Sequence, residues 1–198
     1  MKIVFASGNK HKIEEFGAII KKYCPDIEVV SMKELGILDD IVEDGATFEE
    51  NAMIKARAVA QYGYIGVADD SGLSVDALGG APGIYSARYA GEHGNDKKNN
   101  LKLLDDMKNI ENRSGAFVSA IACAFPEGSP YEDFCVRGEC KGVILHEEKG
   151  SGGFGYDPLF FVESHGKTFG ELLPDEKNKI SHRAVATELF AKEFCKLF

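Results

Sequence analysis

Tryptophan is absent from this 198-residue chain, proline is sparse at six residues, and no apolar run approaches a membrane span. The five cysteines, Cys24, Cys123, Cys135, Cys140 and Cys195, are odd in number and scattered, with no C-x-x-C spacing. A fully paired disulfide framework and a zinc site are therefore not suggested, and reduced thiols in a cytoplasmic protein are the expectation. The opening MKIVFASGNK has too short an apolar run for a signal peptide, and no membrane association is expected. Positive charge is also in short supply: 23 Lys and Arg against 32 Asp and Glu give a formal charge of −9. An undirected grip on a nucleic-acid polymer is thereby disfavoured, although local basic residues can still hold a small anion. Internal repeats and a Walker phosphate loop are missing too.

What is present is a soluble-protein composition, 44% hydrophobic and 28% charged, in a chain long enough for a substantial core. Residues 65–91 stand out. A short apolar strand over residues 64–69 is expected to end abruptly at Asp69-Asp70-Ser71-Gly72, where two adjacent acids are costly unless a cation or donors satisfy them. A loop-like stretch with Gly79, Gly80, Pro82 and Gly83 follows, yet it also carries Tyr85, Arg88 and Tyr89. Whether Arg88 reaches a ligand or braces the loop or a dimer is open at this level.

Along the chain, residues 2–6 read as a buried strand and Ser7-Gly8-Asn9 as a turn. Ile13, Phe16, Ile19, Ile20 and Tyr23 recur at helical spacing. Strand, small-residue turn and helix N-terminus make a natural seat for phosphate, where Lys10 and Lys12 oppose the helix dipole unless an anion is present. A short strand over 27–30 precedes an acidic connection, Asp39-Asp40-Ile41-Val42-Glu43-Asp44. Thr47-Phe48-Glu49-Glu50 matches a capping box, so a helix should start there with Phe48, Ala52, Ala56 and Val59 inward and Asn51 and Lys55 on another face. A helix over 95–108 is predicted to turn Leu101, Leu104 and Met107 inward. Strands follow at 115–125, 132–140 and 142–146, with residues 126–130 as the hairpin turn. A glycine-dense loop over 150–158 holds Phe154, Tyr156 and Asp157 and leads to a strand at 159–162. A final helix is expected over 181–198, with Ser181 as N-cap and His182 and Arg183 in its first turn. The order of elements argues for a mixed α/β sheet flanked by helices, in one domain spanning residues 1–198.

Five stretches carry a resemblance: ASGNKHK (6–12), DGATFEENAMIKA (44–56), ADDSGLSVDALGGAPGIYSARYAG (68–91), GFGYDPLFF (153–161) and EKNKISHRA (176–184). Together and in this order they resemble the inosine triphosphate pyrophosphatase family, which includes the bacterial XTP/dITP diphosphatases. The resemblance implies a two-lobed mixed sheet with a cleft between the lobes, and a homodimer. It also implies Mg²⁺-dependent hydrolysis of non-standard purine nucleoside triphosphates to monophosphate and pyrophosphate. Carried onto this chain, it gives Ser7, Gly8, Asn9, Lys10, His11 and Lys12 to the triphosphate. Asp70 becomes the general base close to the metal, Glu43 a metal ligand with Asp44 as its alternative, and Lys55 the helix lysine facing the phosphates. Asp69 and Glu50 support the site and Ser71 contacts substrate. Phe154, Gly155, Tyr156, Asp157, Lys177, His182 and Arg183 form the base and sugar pocket. Ser7 stands where many relatives have threonine, which keeps the hydroxyl.

The residue chemistry suits that reaction. Cleavage between the α- and β-phosphates needs an in-line water, a base for its proton and cations for the departing pyrophosphate. Asp70, Lys12 and Lys55 are competent types for those tasks, and Mg²⁺ suits one or two carboxylates with retained waters. Donors from His182, Arg183 or backbone N–H groups toward the 6-keto oxygen of hypoxanthine or xanthine would be left unpaired against adenine. Phe154 is the ring expected to stack on the base. The competing expectations are a Maf-like pyrimidine nucleotide pyrophosphatase and a non-catalytic nucleotide-binding module.

Overall fold

A computed structural model describes residues 1–37 and 41–198, so Asp39 and Asp40 of the acidic connection lie outside the described residues. Among the described residues, seven strands form one mixed sheet in the order β2-β1-β3-β4-β5-β6-β7. These are β1 (Lys2–Phe5), β2 (Glu28–Ser31), β3 (Ile65–Val75), β4 (Ser114–Ala124), β5 (Phe134–Ile144), β6 (Phe160–Val162) and β7 (Lys167–Thr168). β1 runs parallel to β2 and to β3, with Phe5 opposite Ser31 and Val67. β5, β6 and β7 pair antiparallel. Among the described residues, five α-helices accompany the sheet: α1 (Lys10–Tyr23), α2 (Phe48–Ala60), α3 (Asp96–Asp106), α4 (Pro174–Ile180) and α5 (His182–Phe194). Among the described residues no helix is long and apolar enough to cross a membrane.

The chain divides into two units: Met1–Asp70, Ser119–Gly138 and His182–Phe198 form the first, and Ser71–Val118 with Glu139–Ser181 form the second. In the first unit, Ile3 and Phe5 of β1, Phe16 and Ile20 of α1, Val67 of β3, Ile121 of β4 and Phe190 and Phe194 of α5 make one buried cluster. The Phe16 ring meets Phe5 at 4.8 Å and Phe190 at 5.5 Å, so α1 is locked between strand and helix. Truncating one such buried ring costs about 3–5 kcal/mol. The second unit has its own core, in which Leu73, Leu103, Met107 and Ile144 surround the rings of Phe117, Phe160 and Phe169.

Several local expectations are corrected. β3 does not stop at the acids but runs unbroken from Ile65 to Val75, because partners far along the chain compensate the buried charge. One strand, Phe134–Ile144, replaces the two expected at 132–140 and 142–146. Its Gly142 continues the strand rather than ending it, since a side chain there would strike the Phe161 carbonyl and the Phe160 ring. In α3, Leu104 and, just past the helix, Met107 turn inward as expected, but Leu101 is exposed and Leu103 is buried in its place. The last helix starts as expected directly after Ser181, whose ψ of 155° is extended, but it ends at Phe194 and a separate helix, α4, precedes it. The expectation of five reduced thiols fails for two: Cys24 closes α1, Cys195 follows α5, and the packing of those helices joins them in a disulfide. Cys123, Cys135 and Cys140 are free.

Candidate active site

In the first unit, α1 begins where Asn9 caps it. The Asn9 side-chain oxygen accepts from the backbone N–H of His11 at 3.0 Å and of Lys12 at 3.4 Å, and the Ser7 hydroxyl accepts from Asn9 N–H at 3.1 Å. The turn at Ser7, Gly8 and Asn9 is thus internally organised, and the Asn9 cap already occupies two of the N–H groups that an anion would use. Lys10 and His11 are exposed in this first turn. Lys12 points elsewhere: its Nζ lies 2.9 Å from Asp69 Oδ2.

Successive strand residues face opposite sides, so Asp69 and Asp70 enter different surroundings although they are neighbours. Asp69 is fully buried. The Ser119 hydroxyl of β4 donates to its Oδ1 at 2.5 Å, and Arg183 Nη2 of α5 donates to Oδ2 at 3.3 Å. Burial alone would raise the Asp69 pKa. The Lys12 ammonium, the Arg183 guanidinium and the Ser119 hydroxyl outweigh it and hold the carboxyl well below the usual carboxylate range. Arg183 is itself buried, and Glu15 of α1 is its second carboxylate partner. Burial works against its charge, but Asp69 and Glu15 raise its pKa above the ordinary arginine value.

Asp70 faces α2. Thr47 caps that helix as predicted by accepting from Glu50 N–H at 3.1 Å, although the Glu50 carboxylate reaches the N–H of Ala46 rather than that of Thr47. α2 approaches β3 so closely that a side chain at Gly66 would collide with the Ala56 carbonyl. This contact sets Lys55 over the strand. Its buried Nζ donates to Glu43 Oε2 at 2.7 Å and to Asp70 Oδ1 at 3.1 Å. Asn51, one turn earlier, accepts from Gly45 N–H at 2.8 Å and ties the acidic connection to the helix. Burial raises the Asp70 pKa; Lys55 and Lys12 pull it down without cancelling that effect, and Glu43 adds to the rise. Burial lowers that of Lys55, but Asp70 and Glu43 more than compensate, so the ammonium is held protonated.

Glu43 and Asp70 sharing one ammonium form an oxygen-only donor pair, which fits a hard cation that keeps several waters. Among the described residues no group of three or more His, Cys, Asp and Glu converges to hold a metal. A site of one or two carboxylates for a hard cation is compatible with that. His182, the first residue of α5, is buried.

In the second unit, Ser71 is half-buried on β3, immediately after the acids. The glycine loop folds on Asp157, a buried carboxylate whose Oδ2 accepts from Phe154 N–H at 2.8 Å and from Lys177 Nζ at 2.8 Å. A side chain at Gly153 would overlap that same Asp157 oxygen, which is why glycine is needed there. Lys177 is buried, with Nζ 4.9 Å from the Phe154 ring centre and 5.4 Å from that of Phe169. Tyr156 is buried and its hydroxyl donates to the Ser86 carbonyl at 2.9 Å, so its ring is a packing group rather than a stacking face. Arg88 is exposed and lies over the Tyr85 ring at 5.2 Å.

The structure thus gathers Lys12, Asp69 and Arg183 into one ionic group and Glu43, Lys55 and Asp70 into another in the first unit, and in the second it sets Lys177 of α4 against the loop of Phe154, Gly155 and Asp157. Sequence reasoning missed Ser119 and Glu15. Ser119 had a signal, a single hydroxyl within the apolar run AFVSAIACA; Glu15 had none, since acids on helix surfaces are commonplace.

Comparison with known proteins identifies the family. A model of the Ham1 family matches residues 3–193. The dITP/XTP pyrophosphatase of Clostridium perfringens is 48% identical over 196 residues, covering 94% of each chain. The one from Bacillus anthracis is 45% identical over 187 residues, covering 93% of this chain and 91% of that relative. Among solved structures, the Ham1 protein of Staphylococcus aureus superposes with a TM-score of 0.90 at 41% identity, covering 100% of both chains. The nucleoside-triphosphatase / dITP/XTP pyrophosphatase of Mycobacterium abscessus gives 0.78 at 42% identity, covering 97% of this chain and 98% of that one. The match to the family model, with this identity and coverage, establishes that the chain belongs to the Ham1 family.

Proposed function

We propose that this protein hydrolyses non-standard purine nucleoside triphosphates, dITP, XTP and ITP, to the monophosphate and pyrophosphate, and so cleanses the nucleotide pool. The observation that carries the reading is the division of labour between adjacent acids: Asp69 is neutralised inside the fold, while Asp70 is left to Lys55 and Glu43. An aspartate whose pKa burial raises above its ordinary value is a better proton acceptor than an ordinary one.

In this reading Asp70 takes the proton from the water that attacks the α-phosphorus. Lys55 holds phosphate oxygens as a point charge and draws the Asp70 pKa down against burial. Lys12, now bound to Asp69, turns its ammonium toward the triphosphate when substrate arrives, and Ser7, Gly8, Asn9, Lys10 and His11 supply the turn around it. Glu43 and Asp70 are the residues that would hold Mg²⁺, with Asp44 the alternative to Glu43. When bound, the ion supplies charge neutralisation for the departing pyrophosphate. Phe154 offers its ring to the base, Asp157 and Lys177 fix that ring's surroundings, and Ser71 contacts substrate. Selection of the 6-keto group falls to donors from His182, Arg183 or backbone N–H groups, with Arg183 Nη1 and Nη2 facing carboxylates in the structure. A homodimer in the cytoplasm goes with this function.

A kinetic panel over standard and non-standard triphosphates, with product identification, tests the proposal. Turnover on dITP and XTP should exceed that on dATP and dGTP by orders of magnitude, with pyrophosphate as co-product. Higher turnover on pyrimidine nucleotides, or orthophosphate as the only co-product, would overturn it.

A further inference from the structure

The face of α3 nearest the glycine loop has no part in the site described so far. Asp96 and Asn100 stand four residues apart and so share one face of the helix. Asp96 Oδ2 accepts from Gly155 N–H at 2.8 Å, and Asn100 Nδ2 donates to the Gly155 carbonyl at 3.2 Å. The same Nδ2 donates to Glu148 Oε1 at 2.7 Å. Both neighbours are acceptors, so the carboxamide must face them with its nitrogen. One glycine is thus gripped at both its polar backbone atoms by one helix.

Gly155 has φ +62° and a glycine's freedom to move, yet its two flanking peptide planes are fixed. The Phe154–Gly155 peptide is held at its N–H by Asp96 and at its carbonyl by Asp157 N–H, 3.2 Å away. The next peptide is held at the Gly155 carbonyl by Asn100. The preceding N–H, that of Phe154, is taken by Asp157 Oδ2. With these peptide groups consumed, the loop has the Phe154 ring to offer, and the two pinned planes decide which way it faces. The partner helix is itself anchored: Asn95 caps it by accepting from Lys98 N–H at 3.1 Å. Asn99 holds the stretch after residue 86 by accepting from Ala90 N–H at 2.8 Å.

We propose that Asp96 and Asn100 are positioning residues for recognition of the purine base: by fixing both peptides of Gly155 they present the Phe154 ring ready to stack. This rests on the reading of Phe154 as the base contact. Binding to a rigid ring loses less conformational freedom than binding to a mobile one, so the bracket acts on base affinity rather than on the phosphate chemistry.

Steady-state kinetics on dITP for D96A, D96N, N100A and F154A, with the inhibition constant of inorganic pyrophosphate as a base-free probe, test the proposal. D96A and N100A should each raise KM for dITP about five- to tenfold, the scale of one lost hydrogen bond, with kcat within about twofold and pyrophosphate inhibition unchanged. D96N, which keeps an acceptor oxygen, should recover most of the loss. Asp96 is exposed, so D96A decides the matter even if N100A does not fold. Unchanged KM in D96A beside a raised KM in F154A would overturn the positioning role alone. Unchanged KM in F154A would overturn the base-contact reading beneath it. Equal weakening of dITP and pyrophosphate would reduce the bracket to general structural support and also overturn the proposal.

Discussion

The two units carry their chemistry in opposite ways. In the first, six charged side chains pair with one another around two consecutive strand residues. In the second, the loop at Phe154 is built from glycine backbone, the Phe154 and Tyr156 rings and the buried Asp157–Lys177 ion pair. Charge suits a ligand of phosphates, which is recognised by Coulombic attraction and neutralised in the transition state. A ring and a fixed backbone suit a flat heterocycle, which is recognised by contact area and direction. Within the first unit the same contrast recurs over one residue: Asp69 is compensated and has its pKa lowered, while Asp70 is undercompensated and has it raised.

The sharpest way to break this comparison is to remove the Asp70 charge. Asp70→Asn should keep equilibrium binding of dITP while turnover falls by about 10²–10⁴-fold, the usual worth of a general base; unchanged turnover would dismiss the assignment. Next in size is Asp69. Asp69→Asn leaves Arg183 and Lys12 short of a buried partner, so denaturant unfolding should show a loss of about 3–5 kcal/mol. Phe154→Ala should raise KM for dITP more than it lowers kcat, corresponding to about 1–3 kcal/mol of lost stacking.

The smallest effects are in pH dependence, and their signs differ between the two acids. The pKa of Asp69 is lowered by folding, so its contribution to stability is present above its unfolded value and is lost as pH falls through the folded one. That of Asp70 is raised, so the fold favours its neutral form, and its contribution is present below the unfolded value and lost as pH rises through the folded one. Melting curves without divalent cation should therefore show Asp70→Asn slightly more stable than wild type at pH 7, with the gain vanishing in acid. The acid limb of kcat/KM should lie above the pKa of an ordinary aspartate, about 3.9.

Elements with local causes were legible in the sequence. Thr47 announces α2, the stripe through Phe16 and Ile20 announces α1, and the glycines at 153 and 155 announce a tight loop. What failed depended on distant partners. Two acids in a row read as the end of a strand, because a strand buries carboxylates only when something neutralises them. Ser119 and Arg183, 50 and 114 residues from Asp69, do so together with Lys12. Lys12 and Arg183 were visible as cations, but a linear reading did not show that both meet the protein's own buried acid. Leu101 was chosen over Leu103 because helical periodicity marks a stripe without fixing its phase. The bracket on Gly155 had no sequence signal, since polar residues on the first turns of a helix are ordinary.

Hydrolysis of dITP in ¹⁸O-labelled water, followed by mass analysis of both products, tests the central claim most directly. If Asp70 directs water at the α-phosphorus, one ¹⁸O enters the deoxyinosine monophosphate and none enters pyrophosphate. Label found in the pyrophosphate, or shared with orthophosphate, would contradict the account.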